Sequence, residues 1–500
     1  MAEGSILRSL PRTFWVANTM ELFERAAYYG LNSVLAVYLS GKVAEGGLGF
    51  DEQSVGFLQS LVYAATYVIP IVGGALADRY GYRRMLMLAF SLLATGYFLA
   101  GLSKTYLLVF LFMLVMATGA GLFKPIISGT IARTTDEKSS GLGFGIYYWM
   151  INVGALIAPM IVSYLKGLSW SYVFFASAIY TGAMLVPAIF IYRDPPKPAN
   201  TRSLREALSG AAEVMSDSRF MLMIVVYSGF WILYFQNFGT VLWYLRDFVD
   251  ATPVNAAVNS ALGAVGIRAK FSFDAEFVTS LNAGTIFFLQ ALVSWGVGKR
   301  AALPTMVTGM AIGATGFLLL ASSQNAWIFI AGIAVFSIGE MTAHPKYYSF
   351  IGQVAPADRK AVYMGYAFLY GVFGSLIGSN IGAFAYKSFL KPAIGTPEAG
   401  TRAAILWGSF AVLDLVAALG LLLFSKKFGV DSAESRAKAR VAMMVVYGAL
   451  VALGLAFFVS AVTATEVSYK TAVQAVLFLL LGSGGLFVSV RAKPSPAPAQ

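Results

Sequence analysis

The sequence predicts an all-α membrane protein: two six-helix bundles followed by two extra C-terminal transmembrane helices. Three observations predict it. Of the 500 residues 58% are hydrophobic and only 12% are charged, and the mean hydropathy is +0.71, a composition that water cannot solvate as a folded surface. Apolar runs recur from Thr13 to Val490, each of about twenty residues and so long enough for a hydrocarbon core of ~30 Å. The chain also repeats itself: a shift of 220 positions lays Gly119 on Gly339, Pro125 on Pro345, Gly145 on Gly365, Gly154 on Gly374 and Arg79 on Lys299. This composition argues against disorder and nucleic-acid binding. With no cysteine there is no disulfide framework or thiolate metal site, and the single histidine, His344, excludes a His-rich one.

In chain order the apolar windows fall near 13–40, 52–77, 84–103, 106–131, 142–165 and 171–192, then 220–245, 275–298, 302–322, 326–353, 361–386 and 403–425, then 440–463 and 470–490. The first run is not a cleavable leader, because Glu21, Glu24 and Arg25 sit at its centre. Residues 1–192 are expected to form the first bundle. Residues 193–218, with Asp194-Pro195-Pro196-Lys197-Pro198, form a polar cytoplasmic linker, 219–425 the second bundle, and 426–500 the two additional helices and a Pro/Ala tail. With a cytoplasmic start, the inside loops carry most of the 36 lysines and arginines. The positive-inside bias then puts both termini in the cytoplasm of a plasma or inner membrane, and explains the net charge of +12 without an acidic partner.

Six spans separate the repeats, an even number, so the halves run parallel. Parallel six-helix halves related by an axis along the membrane normal are the architecture of the major facilitator superfamily, with solute bound between them at the midplane. Charges inside spans are costly and need a partner or water. Glu21, Glu24, Glu340 and Asp414 face Arg25, Lys124 and Lys346 in this inventory, and Lys346 either joins the set or snorkels. At 100° per residue Glu21, Glu24, Arg25, Tyr28, Tyr29 and Asn32 share an arc of about 140°. Two glutamates beside one arginine leave a negative charge, for which Lys124 is the expected countercharge. Drawing Lys124 toward a solute carboxylate would favour proton uptake by a glutamate, so proton and solute would share the same ion pairs. Glu340 and His344 lie four apart on one face of the tenth span, before Pro345. Asp414 has no evident partner in sequence and is expected to be structural or regulatory.

Glu21-Leu-Phe-Glu24-Arg25-Ala-Ala-Tyr28-Tyr29-Gly30 resembles the first-helix signature ExxERFxYYG of the proton-dependent oligopeptide transporter family (peptide transporter/nitrate transporter family) within that superfamily. Gly73-Gly74-Ala-Leu-Ala-Asp78-Arg79-Tyr-Gly81-Tyr-Arg83-Arg84 is similar to the superfamily's loop motif. Gly119-Ala-Gly-Leu-Phe-Lys124-Pro125, Tyr147-Tyr148-Trp-Met-Ile-Asn152 and Gly339-Glu340, with Pro345, Ala355-Pro356 and Met364-Gly365, are similar to the family's fourth, fifth, tenth and eleventh helices. The resemblance covers about residues 13–425.

The resemblance implies proton coupling and carboxylate binding by Glu21, Glu24, Arg25 and Lys124, and a grip on the solute's amino end by Glu340 with Asn152 and Asn282. It implies a pocket lined by Tyr28, Tyr29, Tyr67 and Trp231. The residues themselves, apart from the resemblance, add His344: four positions after Glu340, it is expected to tune the protonation of Glu340, which then shares in coupling, or to contact the solute. The chain departs from the family at Phe235, where a seventh-helix glutamate is usual, and at Ala26, Asn32, His344 and Ala367. The expected function is a proton-coupled symporter for small peptides or peptide-like solutes, with no cofactor besides the coupling proton. It is expected to act as a monomer in the lipid bilayer. The alternatives are an amino acid, a nitrate-like ion or a small organic anion as solute, or a non-transporting membrane receptor. An enzyme is not expected, because no nucleophile–base pair, phosphate loop or HExxH-type motif is present.

Overall fold

The computed structural model describes residues 10–136, 139–196, 204–268, 270–355, 360–463 and 469–491. Lys197, Pro198, Pro356 and the tail after Arg491 lie outside them. The first bundle contains α1 (Arg12–Asn32), α2 (Leu35–Ser40), α3 (Glu52–Tyr80), α4 (Tyr82–Leu102), α5 (Tyr106–Thr134), α6 (Ser140–Leu168), α7 (Trp170–Ala183) and α8 (Leu185–Phe190). After α9 (Leu204–Ser216), the second contains α10 (Ser218–Tyr234), α11 (Thr240–Phe248), α12 (Thr252–Ala264), α13 (Glu276–Val297), α14 (Ala302–Ser322), α15 (Ala326–Val354), α16 (Lys360–Tyr366), α17 (Leu369–Ala385) and α18 (Ala399–Phe428). A hairpin of α19 (Ala433–Thr463) and α20 (Tyr469–Arg491) follows. Among the described residues thirteen segments are long and apolar enough to span a bilayer. The acid-bearing α1 packs among them as a further, more polar one.

Capping sets several helix starts: Asp51, Asp217 and Asn325 side chains accept from the backbone N–H of Ser54, Phe220 and Trp327. The sequence repeat has a packing counterpart. A Cβ on Gly119 would lie 2.7 Å from the Ala89 carbonyl oxygen, and one on Gly339 would lie 2.6 Å from that of Gly309. In both halves the missing side chain lets the fourth span of the bundle touch the backbone of the third.

Four expected spans are interrupted, the sixth only at Met184 between α7 and α8. The first breaks after Asn32, where the Asn32 amide donates to the Tyr28 carbonyl and the Ser33 hydroxyl to that of Gly30, side chains competing with the helix ladder. The seventh passes through a 3₁₀ turn, Phe235–Phe238, and breaks at Gly239 before α11. There the Gln236 amide reaches across to the Gly378 carbonyl at 3.0 Å. The eleventh divides into α16 and α17 and ends in a π turn, Tyr386–Leu390. The polar linker holds the helix α9, and the loop before the eighth span holds α12, neither of which the apolar pattern announces.

The bundles meet tightly at the end opposite the start of α1. A Cβ on Gly56 would sit 2.4 Å from that of Ala383, so α3 and α17 touch backbone to backbone. Tyr63 stacks on Phe235 with centroids 5.4 Å apart, and Gln59 donates to the Phe238 carbonyl at 2.8 Å. Trp243 donates to the Ala36 carbonyl and the Ser40 hydroxyl. Ion pairs ring this end: Lys387 with Asp51 and Lys391 with Glu52, both at 2.5 Å, and Lys166 with Asp274 and with Glu276, the latter at 2.7 Å. The other end stays parted. There the Asp78–Arg133 pair (2.6 Å) holds the first bundle's own helices together.

Candidate functional site

A cavity of about 720 Å³ lies between the bundles and runs from the midplane toward the parted end, reaching Asp78 on α3 and Val362 and Met364 on α16. Of the expected solute contacts it brings together Arg25, Tyr29, Tyr67, Lys124, Asn152, Trp231, Asn282, Glu340 and His344, and Glu21 also lines it. Tyr28 does not line it. Its ring is buried within the first bundle with the Arg25 guanidinium 5.1 Å from its centroid, because one residue of helical rotation separates it from Tyr29. Glu24 is fully buried behind Arg25 and reaches the cavity only through it.

On α1, Arg25 Nε lies 2.5 Å from Glu24 and 3.3 Å from Glu21. Glu21 Oε2 and Glu24 Oε1 have no hydrogen-bond partner among the described residues, so one guanidinium serves two carboxylates incompletely. Lys124 differs from expectation. Among the described residues no carboxylate lies within 4.0 Å of it, since Arg25 occupies the two glutamates. Pro70 has no N–H to give the Thr66 carbonyl, and the Lys124 ammonium supplies that bond at 3.3 Å while standing 4.9 Å from the Tyr67 ring centroid. A cation thus faces the cavity with no carboxylate of the described residues in ion-pair contact.

The second bundle answers with one acid. Glu340 on α15 accepts from the Asn282 amide at 3.0 Å, and the same amide donates to Ser337 at 2.9 Å. Neutral bonds orient this carboxylate and leave its charge uncompensated. Asn152 turns its amide back to the Tyr148 carbonyl at 2.8 Å, leaving its carbonyl oxygen for other partners. Around these groups stand Tyr147, Tyr148, Tyr234, Tyr348 and Tyr370. The sequence reading named Tyr147 and Tyr148 only within a family motif and missed Tyr234, Tyr348 and Tyr370 altogether as site residues. Helical spacing could have found two of them: Tyr234 follows Trp231 by three and Tyr348 follows His344 by four.

Lys346 is not part of the site. It is buried and donates to the Gly298 and Arg300 carbonyls at 2.9 and 2.8 Å, binding acceptors left where α13 ends. Asp414 is fully buried in the second bundle, and neither oxygen has a hydrogen-bond partner among the described residues. Phe235 packs against Tyr63 and Tyr67 and so fills its position with aromatic contact rather than charge.

The family model described as Major Facilitator Superfamily matches residues 20–379. The Di-/tripeptide transporter of Lactococcus lactis subsp. lactis (strain IL1403) is 26% identical over 60% of this chain and 61% of its own length, so the chain spans about three fifths of that relative. Dipeptide and tripeptide permease A of Proteus mirabilis (strain HI4320) is 25% identical over 74% of this chain and 86% of its own. The fold is shared with the crystal structure of peptide transporter POT in complex with sulfate, with a TM-score of 0.68 and 20% identity over 86% of this chain and 99% of the other. It is shared equally with a POT family transporter in complex with 5-aminolevulinic acid, with a TM-score of 0.67 and 20% identity over 84% and 99%. This multi-pass membrane protein belongs to the Major Facilitator Superfamily.

Proposed function

We propose that the chain is a proton-coupled symporter that imports small peptides or peptide-like solutes by alternating access of its two bundles. One observation carries the reading. A cation in ion-pair contact with no carboxylate of the described residues, Lys124, and a carboxylate held only by neutral groups, Glu340, line one cavity from opposite bundles. A solute with a carboxylate at one end and an amine at the other satisfies both, and the aromatic wall between them suits varied side chains. The incompletely paired Glu21 and Glu24 are the proton carriers. When solute competes for the neighbouring cations, a glutamate takes up a proton instead of remaining a bare buried charge.

The parted end faces the cytoplasm of a plasma or inner membrane, with the start of α1 and the end of α20 on that side, so the conformation described is inward-facing. The protein works as a monomer and needs no cofactor besides the proton. The test is uptake into proteoliposomes under an imposed inward proton gradient, followed by competition from dipeptides, 5-aminolevulinic acid, amino acids and small anions. Concentrative dipeptide uptake that collapses with the gradient is the expected result, whereas binding without uptake overturns the transport reading. The aromatic substitution at Phe235 favours a second reading, in which the solute is an amino acid or small organic anion. It predicts that dipeptides fail to displace a carboxylate-bearing tracer.

A further inference from the structure

The second-bundle wall of the cavity holds a group that this coupling scheme does not use. His344 follows Glu340 on α15 by four residues, so about 6 Å of helix rise separates two side chains that line the same cavity. The imidazole packs edge-on against Trp231, Tyr348 and Tyr370, with centroids 4.9, 5.0 and 5.6 Å away. Its Nδ1 lies 3.3 Å from the hydroxyl of Tyr227, a fully buried residue. Among the described residues that hydroxyl has no other acceptor, and an unmatched buried O–H is unfavourable, so it donates and Nδ1 accepts. No carboxylate forms an ion pair with the ring among the described residues, and an uncompensated cation in an aromatic enclosure is costly, so the ring is neutral. A neutral imidazole that accepts at Nδ1 carries its proton on Nε2. The ring is partly exposed, so it offers the cavity one N–H donor.

Glu340 offers the opposite chemistry one turn away: an acceptor carboxylate whose Oε2 already takes the Asn282 amide and whose Oε1 remains. On the reading that Glu340 holds the solute's amine, we propose that His344 is a specificity-determining contact whose Nε2–H donates to the carbonyl oxygen adjacent to that amine. The selected class is the α-amino carbonyl compound, either the amino-terminal residue of a peptide or an aminoketone. Amines lacking that carbonyl bind less well because they leave this donor without a partner on the solute.

Two probes isolate the carbonyl. The ketoacid 5-amino-4-oxopentanoate and its deoxy counterpart 5-aminopentanoate share amine, carboxylate and chain length and differ in the ketone alone. Competition binding to the purified full-length protein is expected to favour the oxo compound by roughly tenfold, the worth of one good hydrogen bond. His344→Gln, whose amide nitrogen reaches the place of Nε2, is expected to keep most of that ratio. His344→Asn reaches only the place of Nδ1, and it and His344→Ala are expected to bring the ratio to about one by weakening the oxo compound alone, at roughly the tenfold just given. A ratio that persists in the Asn and Ala variants overturns the role of His344 and leaves the symporter reading standing. A wild-type ratio near one overturns the role without any variant having to fold. Binding of neither probe overturns the proposed solute class and this role with it.

Discussion

The two halves of the cavity descend from one repeated architecture yet present different chemistry. The first-bundle wall is ionic: Glu21, Glu24 and Arg25 on one helix and Lys124 on another, with more acceptors than donors among the three paired groups and a cation to spare. The second-bundle wall is aromatic, with Trp231, Tyr234, Tyr348 and Tyr370 around the single acid Glu340. Gly119 and Gly339 do the same packing job in both halves, while the residues facing the cavity differ. The halves therefore divide the labour. Rearrangeable charge belongs to the first, and shape with a fixed anchor to the second.

The strongest way to break this comparison is Arg25→Met. It strands two buried carboxylates and is expected to lower stability by about 3–5 kcal/mol, read as a large drop in Tm of the purified protein in detergent. An unchanged Tm would mean that the glutamates are neutral without their arginine. Glu24→Gln sharpens the division of roles. Proton-driven accumulation is expected to fall to the level of simple equilibration, while counterflow exchange is kept. If both survive intact, α1 is not where coupling occurs. Glu340→Gln tests the other wall, where replacing a charged acceptor with a neutral one is expected to weaken dipeptide binding on the order of tenfold. An effect on accumulation without one on affinity would move Glu340 from anchoring to coupling.

The smallest effect belongs to the rim. Lys387→Gln removes a half-exposed ion pair with Asp51 and is expected to change stability by less than about 1 kcal/mol, more at low salt than at high. Burial pushes the Asp51 carboxyl up, but the Lys387 ammonium and the Ser54 backbone N–H outweigh it and hold the group below its ordinary value of 3.8. A depressed carboxyl contributes stability that is present above its ordinary value and lost only as pH falls through the lowered one. This pair is therefore constant between about pH 5 and 8, so any pH dependence of transport there should be the same in Lys387→Gln as in the native chain. Uptake profiles of both, measured across that range, check it.

Much of this was legible in the chain. A bilayer forces each span to a set length of apolar residues, so the spans and the parallel repeat could be read directly. The charges at 21, 24, 25, 124 and 340 stood out because hydrocarbon tolerates few of them. The breaks near Ser33, Gly239 and Ala367 were hidden, because side chains bonding backbone at or across the interruption, as Asn32 and Gln236 do, leave no mark on apolar periodicity. A 140° arc was too coarse to separate Tyr28 from Tyr29. Lys346 and Lys124 look alike in sequence, both set in membrane helices beside a proline. Only their neighbours separate them: one caps the end of α13 and the other fills the gap that Pro70 leaves at Thr66.

The terminal hairpin bears on how the molecule can move. Lys470 on α20 bonds Ser54 of the first bundle, and Gln474, one turn on, donates to Asn380 of the second at 3.1 Å. The last helix thus lies like a shutter across the lateral seam at the tightly closed end. Rocking the halves apart there must drag this shutter along or slide it past one of them. The two sides of the molecule are consequently unequal toward the surrounding lipid, and acyl chains have easier access to the seam on the unshuttered flank.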